Sequence, residues 1–282
     1  MSKNFIIFSH QRSGSTTLSR ILHLNSDINT FSFEPFNTDW AQNKNLIQMF
    51  NGTTNSAEAI FEKKSQLDEY INFLFSSYDG FKHIWYQLKP EYNKHLLLRD
   101  KKIKIIFLWR KNFIQAAVSD TIAKETKLWH VLEDDSQETK DVEYSKIKLD
   151  KKLILKKCET FKDEVKFYRN VLKKNNSDFI EVCYEDIFNY NLKESQKIKK
   201  INEILRFLEK KEISLKHNDF FKIFTLKFLR EHSLDPKLHR LKNLLNPKKT
   251  KLLSEKIYKI IPNINEIDKL SSKEYGYLLE RK

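Results

Sequence analysis

Short apolar runs, separated by longer stretches of mixed polarity, set the pattern of this chain. Five of the runs are rich in β-branched and aromatic residues and have the length of a single strand. They cover residues 5–8, 28–36, 81–86, 103–109 and 179–183. The second run ends near Pro35, since proline cannot continue the hydrogen bonding of a strand. The pattern predicts five strands.

The stretches between these runs repeat apolar residues every three or four positions, which is the period of an α-helix. Segment 39–78 is predicted to be mostly helical, with a break at 51–52 and a longer helix over 57–75. Other helices are marked by Leu18, Ile21 and Leu22, by Ile114, Ala117, Val118 and Ile122, by Phe161, Val165, Tyr168 and Leu172, and by Ile198, Ile201, Leu205 and Leu208. Strands that alternate with helices predict an α/β fold of three layers, with a mainly parallel central sheet flanked by helices.

The composition favours one domain. Only four Gly and five Pro occur in 282 residues, which argues against flexible linkers between parts of the chain. A chain of this length can bury a sizeable core. We therefore expect a single domain over 1–282, with its core in 1–190 and a helical remainder in 191–282.

The first strand leads through a short polar loop into the first helix. This loop, residues 9–17, contains one glycine, Gly14, among several Ser and Thr side chains. A strand, loop and helix in this order direct backbone N–H groups and the positive end of a helix dipole at the contents of the loop. The arrangement predicts an anion site suited to phosphate or sulfate. A Ser/Thr-rich turn that only caps the helix is the alternative.

The loop is related to a nucleotide-binding P-loop but departs from the GxxxxGK[ST] pattern. That frame places its first Gly at Ser9 and its Lys at Ser15, and neither fits, whereas Gly14 and Thr16 do. The cation has moved to Arg12, whose planar guanidinium can hold two anionic oxygens at once. The sequence therefore predicts a P-loop-type fold without ordinary ATP or GTP chemistry.

Charged residues also follow the second and fourth strands. Glu34 lies at the end of the second run, and Arg110 directly follows the fourth, with Asn112 as the predicted N-cap of the next helix. Parallel sheets bind ligands beyond the carboxyl ends of their strands, so Arg12, Glu34 and Arg110 are predicted to meet in one crevice. Alternatively, Glu34 is a surface carboxylate or a partner of Arg12, and Arg110 forms an ordinary salt bridge. His10, beside the loop, is a weaker candidate for proton transfer.

The charge of the chain is uneven. The formal net charge is +14, yet residues 1–100 contain ten basic and ten acidic side chains. Residues 237–253 hold six Lys or Arg and no acid. Such a field favours anionic ligands, nucleic acid or an acidic membrane surface, although a Lys-rich composition alone also gives a basic surface without any such partner.

Cysteine usage and hydropathy bear on the location of the protein. Cys158 and Cys183 are isolated, without a CxxC spacing or nearby metal ligands. No apolar run has the length of a membrane span, and no signal-peptide pattern is present. We therefore expect a cytoplasmic protein with reduced cysteines and no metal site.

Three segments resemble the sulfotransferases that use 3′-phosphoadenosine 5′-phosphosulfate (PAPS), in particular the bacterial and carbohydrate-type branch: residues 11–17, 33–36 and 107–119. Residues 11–17 (QRSGSTT) are similar to the 5′-phosphosulfate loop of that branch, with Arg12 where cytosolic members have Lys. Residues 107–119 (FLWRKNFIQAAVS) are similar to the segment that binds the 3′-phosphate through an Arg and a Ser nine residues later. The last hundred residues carry no such match.

The resemblance implies roles for individual residues. Glu34, within the segment FEPF, is implied to be the general base on the acceptor hydroxyl, and Arg12 to stabilise the transferred group. Fainter matches lie at 82–88, 128–130 and 184–186, and Tyr184 is a candidate for the adenine pocket. The residues implied to bind the donor are Arg12, Ser13, Gly14, Ser15, Thr16, Thr17, Arg110 and Ser119.

The implied reaction is in-line sulfuryl transfer from PAPS to a hydroxyl group, without a metal. A carbohydrate or glycolipid is the implied acceptor, with its pocket in segments 37–78 and 130–150. The basic stretch 237–251 is a candidate for reaching the donor. No nucleic-acid partner is expected, a peripheral membrane contact stays open, and the sequence does not indicate the oligomeric state.

Two other functions compete with this one. A P-loop kinase or nucleotide-binding protein would require Mg²⁺ and a Walker Lys, where this chain has Ser15. A basic non-enzymatic binder of nucleic acid or membrane surfaces would not need Glu34, and its affinity would depend steeply on salt. No helix-turn-helix, zinc-finger or RNA-binding aromatic pattern accompanies the charge.

Overall fold

The computed structural model describes residues 4–23, 28–31, 34–55, 58–127, 143–189, 191–213 and 255–279. Within these ranges the strands are β1 (Phe5–Ser9), β2 (Thr30–Phe31), β3 (Thr53–Asn55), β4 (Glu58–Ile60), β5 (Gly80–Ile84), β6 (Lys104–Trp109) and β7 (Phe179–Cys183). The helices are α1 (Ser15–His23), α2 (Ala41–Met49), α3 (Lys64–Ser77), α4 (Pro90–Leu98), α5 (Phe113–Thr126), α6 (Lys151–Lys174), α7 (Tyr184–Phe188), α8 (Glu194–Phe207), α9 (Glu255–Ile260) and α10 (Ile264–Asp268). Short 3₁₀ turns cover Trp85–Gln87 and Tyr144–Lys146.

Five parallel strands form the central sheet, in the order β2-β5-β1-β6-β7. β1 lies in the middle, where Ile7 pairs with Lys82 of β5 on one side and with Ile106 of β6 on the other. The loop after β1 therefore lies where the connections part to opposite sides of the sheet, which is where parallel sheets bind ligands. The prediction of a mainly parallel α/β sheet is confirmed.

Alternate side chains of the sheet enter two separate cores. Phe5 and Ile7 of β1 pack in a core with α1 and α8, whereas Ile6 and Phe8 pack on the other face in a core with α3, α5 and α6. Helices cover both faces, as a buried parallel sheet requires. The predicted three-layer arrangement is confirmed.

The second strand is shorter than predicted. The expected strand covered 28–36, but β2 has two residues, and Pro35 lies in a turn in which the N–H of Asn37 donates to the carbonyl oxygen of Glu34 at 3.0 Å. The hydroxyl of Tyr70 donates to the carbonyl oxygen of Pro35 at 2.8 Å and anchors this turn to α3. Because proline has no N–H for a strand ladder, the chain turns here and leaves Glu34 beyond the carboxyl end of β2.

The prediction of mostly helix over 39–78 is correct for α2 and α3 but misses the antiparallel hairpin of β3 and β4 between them. The helix expected from residue 57 begins at Lys64 instead. In β4 the buried Ala59 has half-buried neighbours on both sides, and three residues are too few to reveal a strand period in the sequence. The predicted break at 51–52 is the turn that leads into β3.

Residues 271–279 return to the first turn of α5. The side-chain amides of Asn112 and Gln115 both donate to the carbonyl oxygen of Tyr277, at 2.8 and 3.1 Å. Asn112 also caps α5 as predicted, because its Oδ1 accepts the N–H of Gln115 at 3.1 Å. This segment therefore lies against the helix that follows β6.

Some expectations are not decided by the structure. The basic stretch 237–251 and most of segment 130–150, which was expected to form part of the acceptor pocket, lie outside the described residues. Among the helices in the described ranges, none is long and apolar enough to cross a membrane. The single domain over 1–282 and the cytoplasmic location stay predictions.

Candidate active site

The loop between β1 and α1 depends on its glycine. Arg12 and Gly14 both have positive φ angles, 62° and 83°. A Cβ on Gly14 would lie 2.7 Å from Cδ2 of the Tyr184 ring, so any side chain there would strain both the backbone and this packing. The carbonyl oxygen of Gly14 accepts the N–H of Leu18 at 3.0 Å as α1 begins. The glycine therefore lets the chain turn sharply from β1 into α1.

The hydroxyl groups of the loop have different surroundings. Ser13 and Ser15 are buried, and Ser15 is the first residue of α1. Thr16 accepts a hydrogen bond from Nζ of Lys82 at 2.7 Å, and Thr17 is half-buried in the first turn of the helix. The first turn of α1 thus adjoins the loop, as the predicted anion site requires.

Arg12 reaches from the loop to α5. Its Nε donates to Oγ of Ser119 at 2.9 Å, so these two residues are in direct contact. Burial lowers the pKa of Arg12, while the carboxylate of Asp120 opposes that shift and the charge of Arg110 adds to it. Two guanidinium groups therefore lie close enough to repel each other, and an anionic ligand would stabilise them.

Arg110 is buried and in contact with the same loop. Its Nη1 donates to the carbonyl oxygen of Arg12 at 3.3 Å, and its Nη2 donates to Oε1 of Gln115 at 2.6 Å. The guanidinium carbon lies 4.5 Å from the centre of the Tyr184 ring, within the range of a cation–π contact. The structure thus brings Arg12 and Arg110 together in one crevice.

Glu185, which the sequence did not mark as a site residue, caps the start of α5. Its carboxylate oxygens accept the backbone N–H groups of Lys111 and Asn112 at 2.9 and 3.0 Å, and Oε1 lies 3.7 Å from Nε of Arg110. Burial alone would raise the pKa of Glu185, but Arg110, the thiol of Cys183 and the two N–H groups together lower it. The tip of α5 therefore holds an internal carboxylate, and an external phosphate would have to lie along the helix, beside Arg110 and Ser119.

Glu34 lies in the turn after β2, with both carboxylate oxygens bound. Oε1 is 2.7 Å from Nζ of Lys82, and the two side chains are only 15% and 3% exposed. Oε2 accepts hydrogen bonds from Nε2 of Gln87 and, at 3.3 Å, from Nδ2 of Asn37. The possibility that Glu34 is merely a surface carboxylate is therefore wrong.

Lys82 connects this carboxylate to the loop. Its ammonium group binds Glu34 and the hydroxyl of Thr16, both at 2.7 Å. Sequence reasoning missed Lys82 and Gln87, although a usable signal was present. Lysine is seldom buried without a partner, and Lys82 interrupts the apolar run 81–86 that was predicted to be a strand of a buried sheet.

His10 is a structural residue. Its Nδ1 donates to the carbonyl oxygen of Gln11 at 2.7 Å, and its Nε2 accepts the backbone N–H of Arg110 at 3.1 Å. The ring is fully buried against the ring of Phe161, with a centroid distance of 5.1 Å. Burial lowers the pKa of His10 to about 4, so the ring is neutral near pH 7. With both nitrogens bonded to the backbone, His10 links β1 to β6 and is not available for proton transfer.

Two tyrosines complete the surroundings of the arginine pair. Burial raises the pKa of Tyr184 and of Tyr258, and in both cases the nearby charges of Arg110 and Arg12 oppose the rise. Tyr258 lies on α9, far from the other site residues in sequence. The C-terminal part of the described chain therefore comes close to the arginine pair at Tyr258, a residue that the sequence did not mark.

Comparison with known protein families gives one match. A family model of the Stf0 sulphotransferases matches residues 81–218. Residues 81–218 are therefore similar to the Stf0 sulphotransferases, and the family resemblance inferred from the sequence is confirmed. The protein is a transferase that moves sulfuryl groups.

One solved structure is also similar, though distantly. It is the crystal structure of a sulfotransferase from Alicyclobacillus acidocaldarius, which is 14% identical, with a TM-score of 0.44, and the match covers 87% of this chain and 96% of that one. A search of curated proteins finds no match. The family match includes Lys82, Arg110, Ser119 and Glu185 but neither the glycine loop nor Glu34, so the roles of the loop and of Glu34 stay predictions.

Proposed function

We propose that this protein transfers the sulfuryl group of PAPS in line to a hydroxyl group of an acceptor, with Glu34 as general base. The observation that carries the proposal is the meeting of Arg12, Ser119 and Arg110 in one crevice, with Lys82 linking the same loop to Glu34. Two guanidinium groups suit a ligand with two separate anionic groups, and PAPS carries a 5′-phosphosulfate and a 3′-phosphate.

The donor is bound by the loop and by the start of α5. The N–H groups of the loop and Arg12 hold the 5′-phosphosulfate, at the positive end of the α1 dipole. Arg110 and Ser119 hold the 3′-phosphate along α5, because Glu185 occupies the tip of that helix. Ser119 then shares its hydroxyl between the phosphate and Arg12, with which it is in contact in this structure.

The chemistry requires little beyond orientation and charge. The acceptor oxygen forms its bond to sulfur while the bond from sulfur to the 5′-phosphate oxygen breaks, and 3′-phosphoadenosine 5′-phosphate leaves. Glu34 takes the proton of the hydroxyl, a contribution that is typically worth ~10²–10⁴ in rate. Arg12 and Lys82 offset the negative charge that moves onto the leaving phosphate.

Positive side chains, not a metal, surround the transferred group in this proposal. Thr16 stands where a Walker loop binds Mg²⁺ through its Ser or Thr, and its hydroxyl accepts from the ammonium group of Lys82. A fixed ammonium group at this position disfavours a divalent cation. Among the described residues, no group of three or more His, Cys, Asp or Glu is placed to hold a metal.

We further propose that the acceptor is a carbohydrate or a glycolipid bound by segment 37–78. α2 adjoins the base, because Nδ2 of its buried Asn43 donates to the carbonyl oxygens of Glu34 and Asn37 at 2.7 and 2.8 Å. Trp40, directly before α2, is 44% exposed and offers an aromatic face beside this turn. Aromatic walls with a few fixed polar groups are typical of small-ligand sites.

Calorimetric titration with 3′-phosphoadenosine 5′-phosphate tests the donor site, with ATP–Mg²⁺ as the comparison. We expect tight binding of the first and much weaker binding of the second. Tight binding of ATP–Mg²⁺ alone would instead support a kinase.

The acceptor is then sought by incubating the protein with ³⁵S-labelled PAPS and a panel of mono- and disaccharides and glycolipids. Glu34→Gln is expected to keep the nucleotide affinity and to lose transfer, and normal transfer by that variant would remove Glu34 as the base.

A further inference from the structure

Carboxamide side chains hold the turn that carries Glu34. Asn43 of α2 binds two carbonyl oxygens of this turn, and Asn37 donates to Oε2 of Glu34 at 3.3 Å. The backbone of the turn is therefore fixed from α2, and from α3 through the hydroxyl of Tyr70. These contacts place the Glu34 backbone, but a long side chain still needs partners of its own to hold its carboxylate in one orientation.

Gln87 supplies such a partner from the other side of the crevice. It is fully buried in the 3₁₀ turn after β5, and its Nε2 donates to Oε2 of Glu34. Its own Oε1 accepts the backbone N–H of Ile84 at 3.3 Å. This second bond fixes which end of the amide faces Glu34, since the oxygen is used at the end of β5 and the NH₂ group must point to the carboxylate.

Gln87 and Lys82 thus act from one segment of the chain on the two oxygens of one carboxylate. Lys82 lies in β5 and binds Oε1, while Gln87 lies at the end of the following turn and binds Oε2. We propose that Gln87 is a positioning residue that holds the carboxylate of Glu34 in the orientation and the ionised form needed to accept the proton of the acceptor hydroxyl. This inference rests on the proposed function, in which Glu34 is the general base.

Charged and titratable groups near Glu34 affect the pH at which its carboxyl group titrates. Besides Lys82, the structure places the titratable groups of His83 and Tyr86 near this carboxylate. Burial lowers the pKa of His83 to about 4, and burial together with the charges of Glu34 and Asp39 raises the pKa of Tyr86, so both groups are neutral near pH 7. Of these neighbours only Lys82 is charged near pH 7, and a change at Gln87 leaves that charge in place. His83, with its pKa of about 4, gains a proton within the acidic range of the titration, and its charge then also favours the ionised form of Glu34.

The test follows the carboxyl ¹³C resonance of Glu34 over a pH titration of ¹³C-Glu-labelled protein. The Glu34 signal is the one that Glu34→Gln removes. An N–H donor stabilises the ionised form, so Gln87→Met is expected to raise the titration midpoint of Glu34 by about one pH unit. Gln48→Met, at an exposed position of α2, makes the same change of side chain at a residue without a recorded bond to the Glu34 carboxylate and is expected to leave the midpoint unchanged.

Asn37→Ala provides a second route if Gln87→Met fails to fold. It removes the other N–H donor to the same oxygen and is expected to raise the midpoint by a smaller amount. Equal midpoints in Gln87→Met and Gln48→Met would overturn the proposal, and so would an unchanged midpoint in Asn37→Ala where Gln87→Met cannot be measured. The titration uses the free protein, so it decides the role of Gln87 even if nucleotide binding, which tests the proposed function, fails.

Discussion

Replacing Lys82 with Met tests the ion pair that links the base to the glycine loop. The ammonium group lies 2.7 Å from both Glu34 and Thr16, and the Lys82 and Glu34 side chains are 3% and 15% exposed. The substitution leaves the Glu34 carboxylate without its cation at a site with little water. Breaking a buried pair from one side costs about 3–5 kcal/mol, and we expect a loss near the lower limit because Glu34 keeps its two amide donors.

The double variant Lys82→Met, Glu34→Gln measures the interaction energy between the two side chains, apart from their other contacts. Glu34→Gln alone leaves a buried ammonium group without its counter-charge, so each single variant is expected to lose about 3 kcal/mol. The double variant leaves no unpaired charge and is expected to lose only about 3–4 kcal/mol in all. The coupling energy is then at least about 2 kcal/mol. Urea unfolding at pH 7 measures all three values.

The control is Lys44→Met, at an exposed position of α2, which is expected to change stability by no more than about 0.5 kcal/mol. If the losses of the two single variants add to that of the double variant within about 0.5 kcal/mol, the two groups do not interact and our reasoning about the site is refuted.

Three further predictions concern the loop, the second arginine and the buried histidines. Arg110→Ala is expected to lower the affinity for 3′-phosphoadenosine 5′-phosphate at least about tenfold more than the affinity for adenosine 5′-phosphate. The reason is that a charge-assisted bond to the 3′-phosphate is lost, and calorimetry measures both affinities. Gly14→Ala is expected to lower the free energy of unfolding by about 2–4 kcal/mol, from backbone strain at φ 83° and the clash with Tyr184, as measured by urea unfolding. Burial lowers the pKa values of His10 and His83 from 6.5 to about 4. As the pH falls from 6.5 to 4, these histidines therefore bind protons in the unfolded chain but not yet in the folded one. Stability is expected to fall by up to about 3 kcal/mol per histidine over this range, measured by urea unfolding at successive pH values.

Each of these predictions has its own control. Arg99→Ala, beside the amino ends of the strands, is expected to leave the affinity for both nucleotides unchanged. If Arg110→Ala lowered the affinity for both nucleotides equally, that result would contradict a 3′-phosphate site. A Gly14→Ala protein as stable as the wild type would mean that the loop does not need its glycine. His83→Gln is expected to remove about half of the pH dependence, and a slope that does not change would show that His83 takes up its proton equally in both states.

The longer buried elements were predictable because their periods are visible in the sequence. β1 and β6 contain continuous runs of apolar and β-branched residues, and α6 and α8 present apolar positions at clean helical spacing. β2, β3 and β4 have only two or three residues each, which cannot display a period. Such short strands form because of tertiary contacts, and sequence patterns do not report those contacts.

The candidate site was predictable mainly where a charged residue lies just past a strand. Arg12, Glu34 and Arg110 were found by this rule, because the carboxyl ends of parallel strands meet at one edge of the sheet, whereas Ser119 was found only through the family resemblance. Lys82 lies within a strand. Gln87 directly follows the predicted run 81–86, but it is an uncharged amide, and the rule selects only charged residues at strand ends. Their importance comes from Glu34, which approaches them from a different part of the chain.

The contact between residues 271–279 and α5 sets the order in which the protein can be completed during synthesis. Asn112 and its partner Tyr277 are 165 positions apart. At ribosomal rates of about 5–20 residues per second, roughly 10–30 s pass between the two. The sheet from β1 to β7 can form once residue 183 has been made, but Asn112 and Gln115 still lack their bonds to Tyr277 at that stage. A nascent chain therefore gains the full support of its arginine crevice only after residue 277 has been made.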